Sequence, residues 1–180
     1  MKWIKLLTII FIIFNCNSNI NQPTKNKNKA LPQFTESYIA NSFDYPVGIP
    51  DADGYYNAQP FGENNHLGDD WNAVTGGNTD LGDPIYTIAN GYVKSAKDVK
   101  GGWGNVIRII HELPNSTRVE SLYAHCDSIL VKEGEWIKKG QQIGTIGNAH
   151  GQYYAHLHLE IRSDISMPIG NGYSTNTSGF

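Results

Sequence analysis

The sequence predicts a mainly β protein, with a single domain built from an antiparallel β-sheet or sandwich and few short helices. The chain has 180 residues, which is enough for one domain with a substantial core. Its 19 glycines separate short apolar runs, a pattern typical of strands joined by tight turns. The dipeptide Asn90-Gly91 stands between two such runs and predicts a hairpin. The run from His156 to Ile161 alternates between polar and apolar residues, which predicts a half-buried strand.

The N-terminus, residues 1–15, is predicted to be an export signal. Two lysines precede the apolar run Leu6–Phe14, which is broken by a single threonine. About nine apolar residues are too few to span a bilayer as a helix, but they suit the central region of a signal peptide. The stretch that ends in Asn15-Cys16 resembles a bacterial lipobox and predicts lipidation of Cys16. A plain secretory signal and an uncleaved anchor are the alternatives, since Asn15 departs from the usual small residue.

Residues 16–32 are predicted to be a flexible polar tether, and residues 33–180 a folded domain. The tether is rich in Asn, Lys, Ser and Gln, and such a composition buries too little apolar surface to fold. Cys126 is the one cysteine besides Cys16, so no disulfide framework is expected. The net charge of −3 provides no basic surface, and nucleic acid is therefore not an expected partner.

Short strands are predicted one after another from residue 81 onward. A glycine-rich loop, 101–104, separates two of them, and Gly134–Gly144 reads as a short strand between two turns. No segment has the apolar periodicity of a helix longer than two turns. The strands predicted before the last one are Pro84–Ala89, Tyr92–Ala96, Asn105–His111 and Arg118–His125.

The last predicted strand places His156, His158 and Glu160 on one face. Leu157, Leu159 and Ile161 lie on the other face, which is expected to join the core. At strand rise the Cα atoms of the two histidines lie about 6.7 Å apart. Both rings can then reach one metal ion, or one ring can bind metal while the other transfers a proton. Two ordinary strand histidines are the alternative interpretation.

A second candidate segment contains His66 and Asp70. Glycine and asparagine residues around them argue against a helix, and in a fully extended chain they would lie about 13 Å apart. If both bind one ion, the backbone must turn between them, and Gly68 permits such a turn. Asp69 competes with Asp70 as the ligand. A polar loop without metal is the alternative.

These segments occur in a recognisable order. His-x-x-x-Asp at His66 and Asp70 is followed by Tyr-Ala-His ending at His125, then by a Gly-x-x-Ile-x-x-Gly-Gln-x-Ile-Gly stretch, then by His-Leu-His-Leu-Glu from His156. This order resembles the lysostaphin/LytM family of zinc metallopeptidases, which cleave the peptide cross-links of bacterial cell walls. The resemblance extends from about Phe43 to Ile161. It implies the lysostaphin-like fold, a duplicated hybrid barrel-like β domain, with one Zn²⁺ in a groove across the sheet.

The resemblance also implies the roles of five residues. His66, Asp70 and His158 become the zinc ligands, and His125 and His156 the catalytic pair. Three protein ligands leave the fourth position open for water, as in catalytic zinc sites. His156 is then placed to act as the general base, and His125 to hydrogen-bond the water or the developing oxyanion.

The function implied is that of an exported zinc endopeptidase of the cell envelope, attached to a membrane through Cys16. Its substrates would be the stem peptides or cross-bridges of peptidoglycan. Three alternatives remain open: an inactive wall-binding or hydrolase-activator module, a zinc D,D-carboxypeptidase, and a lipoyl-like carrier hairpin at Glu133–Gly147.

Other polar and aromatic residues have weaker assignments. Glu160 is expected either to orient a zinc ligand or to be a solvated carboxylate. His111 and His150 are expected at the surface or at strand ends. Trp103 is expected either in the core or along the substrate groove.

Overall fold

The computed structural model describes residues 30–180. The predicted export signal, Cys16 and most of the predicted tether lie outside the described residues. A compact unit spans Gln33–Phe180. Among the described residues, no helix has the length and apolar character needed to cross a membrane.

The regular secondary structure of the described residues is almost entirely antiparallel β-strand, which confirms the predicted fold class. Seven strands form one antiparallel sheet in the order β1-β2-β9-β6-β5-β4-β7, and β3 pairs with β8 in a second, two-stranded sheet. Three single-turn 3₁₀ helices are the helical elements described, at Glu36–Tyr38, Glu63–Asn65 and Gly101–Trp103. The strands are β1 (Tyr55–Gln59), β2 (Asp69–Ala73), β3 (Pro84–Tyr86), β4 (Gly91–Lys100), β5 (Gly104–Glu112), β6 (Arg118–Cys126), β7 (Trp136–Ile137), β8 (Gln142–Thr145) and β9 (Leu157–Arg162).

The core lies between the two sheets. The small sheet places Ile85 of β3 and Ile143 of β8 against Ile107 and Ile109 of β5 and Leu157 of β9, and each of these side chains is fully buried. Burial of one such aliphatic side chain contributes about 1.5–3 kcal/mol to folding. The core therefore fixes the positions of β5, β6 and β9, the central strands of the large sheet.

The hairpin predicted at Asn90-Gly91 is wrong. β3 pairs with β8, and β4 pairs with β5 and β7, so the runs on either side of the dipeptide do not face each other. Gly91 is instead needed for close packing: a Cβ atom there would lie 2.6 Å from Ile109 Cγ2 and 2.7 Å from the Ile110 carbonyl oxygen. The side chain of Asn90 bonds to the backbone of Ile39 and Lys139, which are distant in sequence.

The alternation of β9 also ends differently from the prediction. Ile161, expected in the core, is 44% exposed, whereas Glu160 and Arg162 on the polar face are each 1% exposed. The polar face is buried because the C-terminal segment, residues 163–180, folds back over it, and Arg162 donates a hydrogen bond to the Pro168 carbonyl. Burial of this face matters for the site described below.

His111 lies near the end of β5, one of its two predicted positions, but it is fully buried and so does not lie at the surface. One ring nitrogen, Nδ1, lies 2.8 Å from the Asn90 carbonyl oxygen, and Nε2 lies 2.7 Å from Ser121 Oγ. Burial lowers the pKa of His111 to about 4, so the ring is neutral at physiological pH. His150, in contrast, is exposed as expected.

Candidate metal centre

Three predicted ligands converge in the structure. His158 Nδ1 lies 2.9 Å from Asp70 Oδ1 and 3.0 Å from His66 Nε2, and the latter two atoms lie 3.4 Å apart. Tetrahedral zinc with bonds of about 2.0–2.1 Å holds its ligand atoms about 3.3–3.4 Å from one another. Two imidazoles and one carboxylate at these separations therefore fit a zinc ion with three protein ligands.

The sheet register brings two of these ligands together. Asp70 on β2 and His158 on β9 are directly paired across neighbouring strands. His66 precedes β2, and an isolated antiparallel bridge pairs its backbone with that of Tyr173 in the C-terminal segment. The three ligands thus come from two segments that are far apart in sequence, residues 66–70 and β9.

Gly68 is required by contact and not by an unusual backbone turn. Its φ lies outside the left-handed region, but a Cβ atom there would lie 2.6 Å from the Leu159 carbonyl oxygen and 2.8 Å from His158 Cε1. Position 68 therefore requires glycine because β9 approaches this segment closely, and not because the backbone turns there.

The choice between the two adjacent aspartates is clear from their hydrogen bonds. Asp69 Oδ1 accepts from the side-chain amide of Asn57 at 2.8 Å and from the backbone N–H of Phe61 at 2.9 Å. Both bonds hold the Asp69 carboxylate away from the histidines. Asp70 is the aspartate in the cluster.

Each histidine of the cluster has a partner on its other ring nitrogen. His66 Nδ1 lies 3.2 Å from the Gln59 carbonyl oxygen, so this nitrogen donates. His158 Nε2 lies 3.2 Å from Glu160 Oε1 and donates to that carboxylate. Such partners fix the tautomer of the neutral ring, in which the lone pair lies on the nitrogen that faces the cluster, as metal-binding histidines require.

The electrostatics of the cluster favour a positive charge at its centre. Burial lowers the pKa of His158, but hydrogen bonds to Asp70 and Glu160 outweigh it and raise that pKa to about 9. Burial likewise opposes ionisation of Asp70, yet hydrogen bonds from His158 and His66 hold its pKa well below the usual range. An environment that favours a proton so strongly also favours a metal cation.

The remaining two predicted site residues lie beside the cluster. The ring of His125 is 4.7 Å from that of His156 and 5.6 Å from that of His158, between centroids. His156 Nδ1 lies 2.8 Å from the Tyr154 carbonyl oxygen and donates to it, and His156 Nε2 lies 3.8 Å from Asp70 Oδ1. The nitrogen of His156 that faces the cluster is therefore the one able to accept a proton.

A bulge at the end of β6 aims His125 into the site. The pairs Asn105 with Cys126 and Ile107 with Tyr123 leave two residues of β6 opposite one of β5, and His125 has a φ of 60°. Bulges commonly redirect side chains next to active sites. His125 Nδ1 is buried without a hydrogen-bond partner. Burial, followed by electrostatic repulsion from His156 and His158, lowers the pKa of His125 to about 3, so its ring is neutral.

The five predicted side chains line one cleft of about 410 Å³. Trp103 forms one wall of the cleft, which agrees with the groove position, one of its two predicted positions. Its Nε1 donates a hydrogen bond to the Gly170 carbonyl oxygen at 2.9 Å. Sequence reasoning missed the C-terminal wall, whose members are Asn171, Gly172 and Tyr173. The Tyr173 ring lies 5.1 Å from that of His66. No motif marks this wall in the polar tail.

Residues 65–175 match Peptidase family M23. The chain belongs to this family. The match contains all five site residues, from His66 to His158. A crystal structure of an M23 peptidase from Pseudomonas aeruginosa is similar in fold, with a TM-score of 0.52 at 24% identity over 72% of this chain and 47% of that one.

Three curated relatives illustrate the range of the family. Lipoprotein NlpD of Yersinia enterocolitica is 43% identical over 45% of this chain. The murein hydrolase activator NlpD of Salmonella dublin is 36% identical over 52% of it. The peptidoglycan DD-endopeptidase ShyA of Vibrio cholerae is 36% identical over 45% of it. The chain spans 78% of the Yersinia protein, but 25% and 18% of the other two.

Proposed function

We propose that this protein is a zinc-dependent endopeptidase that hydrolyses peptide bonds of bacterial cell-wall peptidoglycan. The observation that carries the proposal is the position of His156. Its Nδ1 is held by the Tyr154 carbonyl, and its Nε2 faces a centre of three metal-type ligands. Membership of family M23 and similarity to a peptidoglycan endopeptidase support the same reaction.

His66, Asp70 and His158 would hold the zinc ion. When bound, zinc polarises the scissile carbonyl and lowers the pKa of water at the open coordination position to about 7. The chain supplies two nitrogens and one oxygen, a donor set typical of catalytic zinc sites with three protein ligands.

The two other histidines supply the proton transfers and the stabilisation of charge. His156 takes a proton from the attacking water on Nε2 and later gives it to the departing amine. The hydrogen bond to the Tyr154 carbonyl keeps the ring in the tautomer that accepts on Nε2. His125, which is neutral, donates a hydrogen bond to the oxygen that becomes negative as the carbonyl is attacked.

The substrate and the location follow from the same reading. The cleft has the volume of a small-ligand site and aromatic walls from Trp103, Tyr153 and Tyr173, which suits a short extended peptide such as a stem peptide or cross-bridge. Peptidoglycan lies outside the cytoplasm, so residues 1–15 would export the chain and lipidated Cys16 would anchor it to a membrane. One relative, NlpD of Yersinia enterocolitica, is a lipoprotein by name, and another, ShyA of Vibrio cholerae, is a peptidoglycan DD-endopeptidase by name.

The alternative function is that of a murein hydrolase activator without its own peptidase activity. The similarity to an NlpD named as such an activator favours it. An activator binds a partner enzyme and has no need of a general base. The two functions therefore differ in what they require of His156 and His125.

Zinc content and wall hydrolysis of the purified full-length chain test the proposal. The wild type should bind one zinc and convert cross-linked peptidoglycan dimers to monomers in a chelator-sensitive reaction. His158→Ala should lose both zinc and activity. His156→Ala should keep zinc and lose about 10²–10⁴-fold in rate, the usual contribution of a general base. His150→Ala changes an exposed histidine outside the cleft and serves as the matched control.

Three results would contradict the proposal. Loss of zinc from His156→Ala would show that His156 and His158 are both zinc ligands. Zinc binding without hydrolysis, together with stimulation of a separate wall hydrolase by wild type and His156→Ala alike, would establish the activator. Release of terminal D-alanine without conversion of dimers would establish a D,D-carboxypeptidase.

A further inference from the structure

A chain of buried charged groups begins at the metal ligand His158. Its Nε2 lies 3.2 Å from Glu160 Oε1, and the other carboxylate oxygen, Oε2, accepts from Arg162 Nε at 2.7 Å and from its terminal nitrogen at 2.5 Å. These three residues occupy alternate positions on the same face of β9. The side chains of His158, Glu160 and Arg162 are at most 4% exposed.

The chain of charges continues onto the neighbouring strands. Glu120 of β6 is fully buried and lies 3.7 Å from Arg162, between oxygen and terminal nitrogen. It accepts hydrogen bonds from Arg108 of β5 at 2.7 Å and from Lys94 of β4 at 2.8 Å. Arg162 is therefore held between two carboxylates, those of Glu160 and Glu120.

The cations of this cluster also fasten the C-terminal segment. Arg108 donates to the Met167 carbonyl at 2.7 Å, and Arg162 donates to the Pro168 carbonyl at 3.3 Å. Lys94 donates to the Ile165 carbonyl. The same segment continues to Asn171–Tyr173, which form a wall of the cleft.

Stability alone is a weak reason for such a cluster. Removing charges from water costs several kcal/mol per ion, and well-packed apolar side chains in their place are often as stable or more so. A buried cluster that ends on a metal ligand has a functional use, because the outer partner of a ligating imidazole sets its tautomer and orientation.

We propose that Glu160 and Arg162 are positioning residues for the metal ligand His158. Glu160 accepts the Nε2 proton, so the lone pair of His158 lies on Nδ1, toward His66 and Asp70. Arg162 fixes the Glu160 carboxylate through its other oxygen. The inference deepens the proposed function, because it rests on the metal centre of that function.

The substitution Glu160→Gln separates this role from simple packing. The amide has nearly the same shape as the carboxylate but one oxygen and one NH₂ group. If the oxygen faces Arg162, the NH₂ faces His158 and favours the tautomer with the proton on Nδ1, which removes the lone pair from the metal. If the oxygen faces His158, two donors meet at Arg162. Either arrangement weakens the ligand.

The experiment measures zinc affinity of the full-length chain by competition with a chromogenic chelator. Loss of an outer-shell partner of a ligand typically costs about 10–100-fold in metal affinity, and we expect this loss for Glu160→Gln. Glu112→Gln is the matched control: its carboxylate pairs with Arg118 at 2.7 Å near the other end of β6. Absorption of the cobalt-substituted protein should change for Glu160→Gln and stay as in wild type for Glu112→Gln.

Thermal unfolding of the metal-free chains corrects the affinities for any unfolded fraction. An unchanged affinity of folded Glu160→Gln would overturn the inference, as would a wild type that binds no zinc. If Glu160→Gln does not fold, Arg162→Lys replaces it, since lysine keeps the charge but lacks the two-nitrogen contact with Oε2. An unchanged affinity of Arg162→Lys would then overturn it. Zinc binding without hydrolysis by wild type would contradict only the proposed function.

Discussion

Replacing Gly68 with alanine should damage the metal centre without changing any ligand. The added Cβ would lie 2.8 Å from His158 Cε1, 2.9 Å from its Nε2 and 2.6 Å from the Leu159 carbonyl oxygen. Ordinary contact begins at 3.4 Å, so the His158 ring must retreat by about 0.6 Å (3.4 − 2.8). The His158 ring cannot rotate freely, because Glu160 holds its Nε2. The Leu159 carbonyl cannot retreat independently, because Leu159 lies next to His158 on β9.

The expected loss follows from the precision that such centres need. A misplacement of about 1 Å in a catalytic site costs about 10²-fold, so a shift of about 0.6 Å should weaken zinc binding by about 10–100-fold. This corresponds to about 1.4–2.8 kcal/mol. Zinc affinity is measured by chelator competition, and hydrolysis of cross-linked peptidoglycan at saturating zinc reports the remaining geometry.

Gly170→Ala is the control for this substitution. Gly170 lies in the C-terminal segment near the cleft, its φ lies outside the left-handed region, and a Cβ atom there would meet nothing within 4 Å. Its zinc affinity should equal that of the wild type. Equal affinity of Gly68→Ala and Gly170→Ala would refute the reasoning, because it would mean that β9 tolerates the displacement of its ligand.

Two further substitutions test the surroundings of the site. The pKa of His111 is about 4 when folded and about 6.5 when unfolded, so its contribution to stability is present above pH 6.5 and is lost as the pH falls toward 4. We compare the urea unfolding free energies of metal-free wild type and metal-free His111→Gln. Their difference should shrink by about 3 kcal/mol as the pH falls over that range. A difference that does not change with pH would contradict the buried neutral ring. A Cβ at Gly147 would lie 2.3 Å from the His125 carbonyl oxygen, so Gly147→Ala should lower the unfolding temperature and slow hydrolysis more than it weakens zinc binding. Unchanged hydrolysis would contradict the close packing of Gly147 behind His125.

The residues that converge in the cleft were largely predictable because they lie in short, chemically distinctive motifs. His156 and His158 stand on a strand whose period of two is visible in the sequence, and the structure places both in the cleft. The family resemblance selects Asp70, but the residues alone leave Asp69 as a competitor, because the preference depends on hydrogen bonds to Asp69 from Asn57 and Phe61. Local motifs thus identify the residue types, and contacts between distant segments decide among neighbours.

The errors have a common physical origin. Asn90-Gly91 is a typical turn sequence, but the Asn90 side chain hydrogen-bonds to the backbone of Ile39 and Lys139, and β3 pairs with β8. His111 looked isolated because its partners, the Asn90 carbonyl and Ser121, lie across strands. Burial by distant segments cannot be read from alternation along one strand.

The distinction between an enzyme and an activator depends on residues outside the ligand set. His66, Asp70 and His158 fit a metal ion, and a metal site alone suits a structural role as well as a catalytic one. A structural site has no use for a third imidazole, His156, whose Nε2 lies 3.8 Å from Asp70 Oδ1, or for a fourth, His125, which is neutral and has an unpartnered buried nitrogen. An unpartnered buried polar group costs about 1–3 kcal/mol, and one beside an open cleft is expected where a substrate supplies the partner. His125 and His156 therefore argue for hydrolysis more strongly than the three ligands do.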